Sequence, residues 1–491
     1  LVPACADHFV DVIKDENIYY NKEDMTVALR KTYETEKYVA DTILANIHNE
    51  NNVWDYDVEK YRKVGEFELS DEQMKILDVV CKNNIAILNG FAGSGKTYST
   101  KGIINMLKTN NKSFRLMSPT GRAAKVLHEN TNEPASTIHR GLGYIPPNTW
   151  TYSKEQPLAC DIIVVDEFSM VDIWLFKRLL DAIDFKRTKL LMIGDNAQLP
   201  SVSCGNLLHD FMEADVIPTV TLNKIFRYSS GGLMRVATDT RCCKEYLTKD
   251  MKSKATVFGD NKDYMFIDLA SELIPKNVVA LYKKLLDNGS SIEDIQVLTA
   301  KNVGDCGSVQ LNNMIQRVAN PNYGSEVNMK VGDTTYYQGD LILQTVNNYD
   351  AEIDLDEDPF EIGYEFGLND SPSTAFVANG ETGIIKEIYN SYVIVDFGGI
   401  RVRYYRSDMN MVKLGYAISI HKSQGGGFKT VILCSPQSHI FMLNSNLLYV
   451  GLTRMKEKLY HLGSLQSVNQ AVKKKANLTR HTFTQKLLKN L

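Results

Sequence analysis

The sequence predicts an α/β protein with two parallel-sheet domains, a small antiparallel β-barrel inserted in the second, and a helical N-terminal region. Three observations predict it. Short apolar runs bounded by turn residues alternate with stretches of helical periodicity, the pattern of strands covered on both faces by helices. Two such series occur, one before residue 222 and one after residue 295. Between them, at 326–408, the runs become short, alternating and turn-bounded, as in a closed antiparallel sheet.

At 491 residues the chain is too long for a single core, and two to four domains are expected. Residues 1–64 are polar apart from one stripe, Val39, Ile43 and Ile47 with Ala40 and Leu44 beside it, whose spacing is that of a helix face. In 65–222, IAIL (85–88), FRLMSP (114–119), DIIVVDE (161–167) and LLMIGD (190–195) predict the first sheet. Residues 223–325 and 409–491 supply the second, through IQVLTA (295–300), ISIHKS (418–423), TVILCS (430–435) and LYHLGS (459–464). GDLILQTV, ETGIIKEI, SYVIVDF and IRVRYYR are the barrel strands.

Composition, 44% hydrophobic and 23% charged, excludes wholesale disorder. No run approaches the roughly 18 apolar residues of a membrane helix. LVPACADHFVDVIKDEN lacks the charged lead and apolar core of a secretory signal, and Leu1, not being Met, is expected to mark a trimmed or processed start. Eight cysteines without a C-x-x-C pair point to reduced thiols in the cytoplasm (a host's, were the source viral). A net charge of −4 gives no overall pull toward nucleic acid but leaves room for a local basic groove. Residues 350–370 hold nine acids and no Lys or Arg, which predicts a solvated loop.

The strongest chemical signal is GFAGSGKT, residues 90–97, which follows a predicted strand and opens a predicted helix. Gly90, Gly93 and Gly95, with Ser94 among them, let backbone N–H groups turn toward phosphate oxygens at a helix N-terminus. Lys96 can reach the outer phosphates, and Thr97 can place its hydroxyl on Mg²⁺. Asp166 and Glu167 end the strand DIIVV, where one carboxylate can hold the metal and its neighbour can orient or deprotonate water. The second α/β unit has no phosphate loop, yet presents Arg227 and Arg454. An arginine offered across a cleft stabilises charge on a transferring phosphoryl group.

LSDEQ (69–73), GFAGSGKT, SPTGRAAKVL (118–127), STIHR (136–140), VVDEFSM (164–170), GDNAQLPSV (195–202), IFRY (225–228), SIHKSQG (419–425) and YVGLTR (449–454) occur in order. This series resembles the superfamily 1B DNA helicases, in the RecD-like and Dda-like branch, from about residue 66 onward. The resemblance implies two RecA-like motor domains, an SH3-type barrel, ATP with Mg²⁺, and 5′→3′ movement on single-stranded DNA. Gln73 then reads the adenine edge and Phe226 stacks on that base; Asp166 binds the metal and Glu167 is the catalytic base. Gln198 senses the γ-phosphate, and Arg227 and Arg454 contact it from the second motor domain. For DNA, the resemblance implies contacts from Pro119, Thr120 and Arg122, from Thr137 and His139, from His421, Ser423 and Gln424, and from Asn347, Asn348 and Tyr349 on the barrel. Residues 141–158 correspond to a hairpin pin that splits duplex DNA, with Trp150 as its wedge.

The same resemblance implies partners at single-strand/duplex junctions, among single-strand-binding, replication, repair or recombination proteins, and a monomeric motor. A translocase that remodels protein–DNA complexes without processive unwinding is the alternative. Two departures stand out. Gly426 and Gly427 occupy places where relatives often carry S-E, which removes any carboxylate contact there, and the acidic insertion 350–370 sits inside the barrel region with no role that the resemblance implies.

Overall fold

The computed structural model describes residues 13–48, 52–145, 147–224, 231–354 and 374–489. Phe226, Arg227 and the acidic run beyond residue 354 lie outside them. The chain forms two compact units: Leu1–Pro119 with Leu127–Arg227 and Asn477–Leu491, and Thr120–Val126 with Tyr228–Ala476.

The first unit is built on a six-stranded sheet in the order Thr219–Leu222, Ile85–Gly90, Lys189–Gly194, Ile162–Val165, Phe114–Ser118, Ala135–Thr137. Every neighbouring pair is parallel. Strand side chains alternate between faces, so each apolar run feeds two cores. Ile85, Ile87, Met117, Ile163, Val165 and Met192 join one cluster, and Ala86, Leu88, Leu116, Ile162, Val164 and Leu191 join the other. Uninterrupted apolar runs are therefore what this sheet requires. Its parallel order brings the carboxyl ends of Ile85–Gly90, Lys189–Gly194 and Ile162–Val165 to one rim, where open α/β sheets bind ligands.

The stripe at 39–47 lies on the helix Arg30–Asn46, with Val39, Ala40 and Ile43 fully buried. The purely helical N-terminal region is corrected by a hairpin, Ile18–Asn21 with Thr26–Leu29. Its strands are too short for periodicity to reveal; Tyr19 stacks on Tyr33 at 3.5 Å and meets Phe483 edge-on. The C-terminal boundary also changes, because Asn477–Leu491 belongs to the first unit rather than continuing the second. Arg480 Nη1 donates to the carbonyls of Ser201, Ser203 and Gly205 at 2.7–2.9 Å. The Phe483 N–H donates to Glu36 Oε2, and Leu488 is buried in the core.

The second unit has a six-stranded sheet in the order Ala255–Phe258, Tyr264–Asp268, Met455–Gly463, Phe428–Ser435, Ile295–Thr299, Ala417–Ser419. It is parallel except for its first pair, which the sequence reading did not include. The expected strand ISIHKS is a strand only over Ala417–Ser419. Ser419 Oγ then accepts from Lys422 N, and Ile420–Ser423 turns as a 3₁₀-helix.

The inserted module is a seven-stranded antiparallel sheet, Thr374–Val377, Asn348–Ile353, Arg401–Tyr405, Tyr392–Asp396, Thr382–Ile388, Leu341–Gln344, Val412–Leu414. Its last strand runs past the expected end at 408. Among the described residues, no helix is long and apolar enough to cross a membrane.

Candidate nucleotide site and strand-contact residues

The phosphate loop joins the buried strand Ile85–Gly90 to the helix Lys96–Thr109. Gly93 (φ 83°) and Gly95 (φ 87°) sit in the left-handed region that side chains avoid. A Cβ on Gly90 would lie 2.5 Å from Ser94 Oγ. Ser94 Oγ is itself buried without a protein partner, and a phosphate oxygen would satisfy it. The Lys96 ammonium donates to the Gly90 and Phe91 carbonyls at 2.7 and 3.0 Å, which holds it over the loop. Gln73, expected at adenine, has both amide atoms engaged. Its Oε1 accepts from Ser70 N in a capping box, and its Nε2 donates to the Gly95 carbonyl at 3.2 Å, so it fastens its helix to the phosphate loop.

Asp166 and Glu167 leave the strand Ile162–Val165, which the strand Lys189–Gly194 separates from the one entering the phosphate loop. Asp166 N donates to the Met117 carbonyl, and Glu167 N donates to Asp166 Oδ1 at 2.8 Å. Glu167 adopts φ 51°, a left-handed conformation that strains a residue with a side chain. Burial first, then the Glu167 charge, push the Asp166 carboxyl well above the usual carboxylate range, while the Lys96 charge pulls it down. A divalent cation would relieve that crowding of negative charge. Thr97 lies half-buried in the first helical turn after the loop. No group of three or more His, Cys, Asp or Glu suited to a metal exists among the described residues. One carboxylate and one hydroxyl, completed by phosphates and water, is the donor set Mg²⁺ uses, and the residues fit it.

Gln198 is buried in the loop after Lys189–Gly194. Its N–H donates to the Asp195 carbonyl, and Ala197 N donates to Asp195 Oδ1. Asn196 N donates to Asn89 Oδ1 at 3.1 Å, tying this loop to the strand that enters the phosphate loop. Asn89 was not singled out from the sequence. An Asn inside an apolar run was the available signal.

In the second unit, Arg454 is buried and donates to the carbonyls of Val450 and Gly426 and to Thr453 Oγ1. Arg122 belongs to the same unit. Its guanidinium lies 4.7 Å over the Phe428 ring and donates to the Gly380 carbonyl at 3.3 Å. A Cβ on Gly426 would fall 2.2 Å from Arg122 Nε. Gly426 thus carries both arginines: its carbonyl receives Arg454, and its bare Cα leaves room for Arg122. Gly427 differs, since a Cβ there meets nothing nearer than 3.4 Å. Gly425 (φ 75°) is the turn residue expected of it.

The other residues expected to contact a strand divide by what their side chains already do. Thr120 Oγ1 accepts from Ala123 N, and Thr137 Oγ1 caps its short helix by accepting from Arg140 N, while Pro119 is half-buried at the end of the strand Phe114–Ser118. Ser423 Oγ donates to the Ile420 carbonyl. His421 is exposed, and Gln424 Nε2 is buried without a partner. On the barrel, Tyr349 is 44% exposed and stacks on Phe376 at 5.0 Å. Asn347 Nδ2 donates to the Tyr349 hydroxyl, and Asn348 Oδ1 accepts from Asp350 N.

The segment expected to form a pin contains a two-stranded hairpin, Tyr144–Ile145 with Thr149–Trp150. Trp150, the expected wedge, packs inward on its own hairpin. The indole folds back onto Tyr144 (4.7 Å) and His139 (5.6 Å), and the outward apolar side chain is Ile145, 58% exposed.

Three family models match in order: an AAA domain at 73–204, an ATP-dependent RecD-like DNA helicase SH3 domain at 311–397, and a UvrD-like helicase C-terminal domain at 414–461. Over these segments the chain is similar to RecD-like helicases. The AAA-domain match falls on the first α/β unit, and the SH3-domain match falls on the inserted antiparallel module. The chain is 28% identical over 410 residues to the ATP-dependent RecD2 DNA helicase of Deinococcus radiodurans, covering 84% of this chain and 51% of that protein. It is 27% identical over 444 residues to the RecBCD enzyme subunit RecD of Buchnera aphidicola, covering 77% and 69%. The chain thus spans about half the length of the Deinococcus relative. Among solved structures, Bacteroides Pif1 bound to single-stranded DNA aligns with a TM-score of 0.48 at 19% identity, covering 81% of this chain and 92% of that one.

Proposed function

We propose that the chain is an ATP-dependent DNA helicase that moves 5′→3′ along single-stranded DNA and opens duplex at junctions. One observation carries this reading. A phosphate loop with its lysine and a buried unpartnered Ser94 hydroxyl shares a sheet rim with an Asp–Glu pair whose acidity already feels that lysine. Lys96 and the loop N–H groups would bind the phosphates, and Thr97 and Asp166 would hold Mg²⁺, which supplies charge neutralisation when bound. Glu167 would take the proton from the attacking water. Gln198 and Arg454 would report the state of the γ-phosphate, with Arg227 and Phe226 completing the site. Pro119, Thr120, Arg122, Thr137, His139, His421, Ser423, Gln424 and the Asn347–Tyr349 segment would hold the strand backbone. A monomeric cytoplasmic motor that meets single-strand-binding or repair proteins completes the reading. The folded-back Trp150 favours a second reading, a translocase without processive unwinding. The primary test is ATP hydrolysis with and without a single-stranded oligonucleotide. Stimulation that disappears in Lys96→Ala supports the proposal; stimulation that survives that change defeats it.

A further inference from the structure

A cavity of about 480 Å³ opens in the first unit, between the helices Arg30–Asn46 and Ile173–Asp181 and the base of the hairpin. Its walls include Lys31, His139, Trp150, Trp174 and Arg178. Each indole carries a cation: the Lys31 ammonium is 5.4 Å from the Trp174 ring centre, and the Arg178 guanidinium is 5.6 Å from that of Trp150. His139 stacks on Trp150 at 29° between ring planes. Burial holds this imidazole below its ordinary value, which keeps it neutral at pH 7.

The charges in the cavity are unequal in their freedom. Asp172 also lines the cavity; its Oδ1 accepts from Trp174 N and Leu175 N at the helix start, and its charge reaches His139. Lys177 is paired with Asp181 at 2.6 Å. Lys31 and Arg178 make no ion pair with a described carboxylate. What remains is two indoles, each with a cation over its ring. That chemistry suits a planar ring joined to an anion, and base–aromatic stacking with a cationic edge is how proteins hold unpaired nucleotides. The volume lies within the roughly 300–1,000 Å³ of small-ligand sites.

We propose that this cavity receives one unpaired nucleobase of a DNA strand at the hairpin, stacked against an indole, with its phosphate met by Lys31 and Arg178. The inference rests on the helicase reading above and adds a site to it. It gives Trp150 a role as the wall of a base pocket beside the pin.

The molecule supplies its own probe. Of three tryptophans, two line the cavity, and the third, Trp54, is 7% exposed in a separate core under Lys189. The experiment titrates the full chain with a forked oligonucleotide, following tryptophan emission and the anisotropy of a dye on the DNA together. The expected result is a change in emission that tracks binding, shrinks in Trp150→Phe and in Trp174→Phe, and is absent with a fork whose unpaired bases are abasic. Lys31→Gln with Arg178→Gln should weaken fork binding about tenfold. Binding by anisotropy with unchanged emission would overturn the pocket and leave the helicase reading standing. No binding by anisotropy would overturn the helicase reading and the pocket with it. An equal emission change with thymidine monophosphate alone would show a free-nucleotide site and overturn the strand assignment.

Discussion

Gly426→Ala is the most informative single change, because one methyl group tests whether a bare backbone position seats Arg122. The added Cβ would lie 2.2 Å from Arg122 Nε and 2.4 Å from its Cζ and Nη2. Comfortable contact begins near 3.5 Å, so the guanidinium must retreat by about 1 Å or more. It then leaves the Phe428 ring, a cation–π contact worth about 0.5–2 kcal/mol, and its long bond to the Gly380 carbonyl, worth about 1 kcal/mol. A net loss of about 1–2 kcal/mol from the strand-binding geometry corresponds to roughly 5- to 30-fold weaker affinity. The assay is anisotropy of a labelled single-stranded oligonucleotide, with Gly427→Ala as control, since its Cβ meets nothing nearer than 3.4 Å. In an Arg122→Ala background the effect of Gly426→Ala should vanish, as a double-mutant cycle requires of a change acting through that residue. Equal losses in both backgrounds would refute the seat.

Other outcomes follow from the same geometry. Glu167→Gln should lower ATP hydrolysis by at least about 100-fold while nucleotide still modulates strand affinity, read by steady-state ATPase and anisotropy. Ile145→Asp should slow unwinding about tenfold and leave DNA-stimulated hydrolysis unchanged, if the outward side chain of the hairpin parts the duplex. Burial pushes Glu36 up to about 7 and Asp210 up to about 7, and both hold the C-terminal segment, through Phe483 N and Thr482 Oγ1. Above about pH 4.5 the unfolded chain has released protons that the folded state keeps until about pH 7, so stability falls as pH rises through that window. The loss is on the order of 3 kcal/mol per group. Thermal melts of Glu36→Gln should therefore fall less than wild type between pH 5 and pH 8, and an equal fall would contradict the assignment.

What could be read from the sequence was what is local. The strands of the first sheet were legible because burial on both faces demands unbroken apolar runs, and the two clusters draw alternately on the same residues. The phosphate loop was legible because its glycines answer a backbone requirement within a few residues. The hairpin at 18–29 and the docking of Asn477–Leu491 were not, since Tyr19 with Tyr33 and Phe483, and Arg480 with the 201–205 carbonyls, are pairings across the chain. Trp150 was placed in a hairpin correctly, but a tryptophan there can point outward or fold back; His139, Tyr144 and Arg178 decide it. The three glycines after HKSQ were visible as a departure, yet their difference was not. Gly425 turns, Gly426 makes room for Arg122, and Gly427 has room to spare.

The central claim is that ATP hydrolysis in the first unit drives 5′→3′ movement that opens duplex DNA. Strand displacement from partial duplexes carrying either a 5′ or a 3′ single-stranded tail, with ATP and Mg²⁺, tests it most directly. The 5′-tailed substrate should be unwound and the 3′-tailed one left intact, with both inert in Lys96→Ala. Preferential unwinding from the 3′ tail would contradict the account.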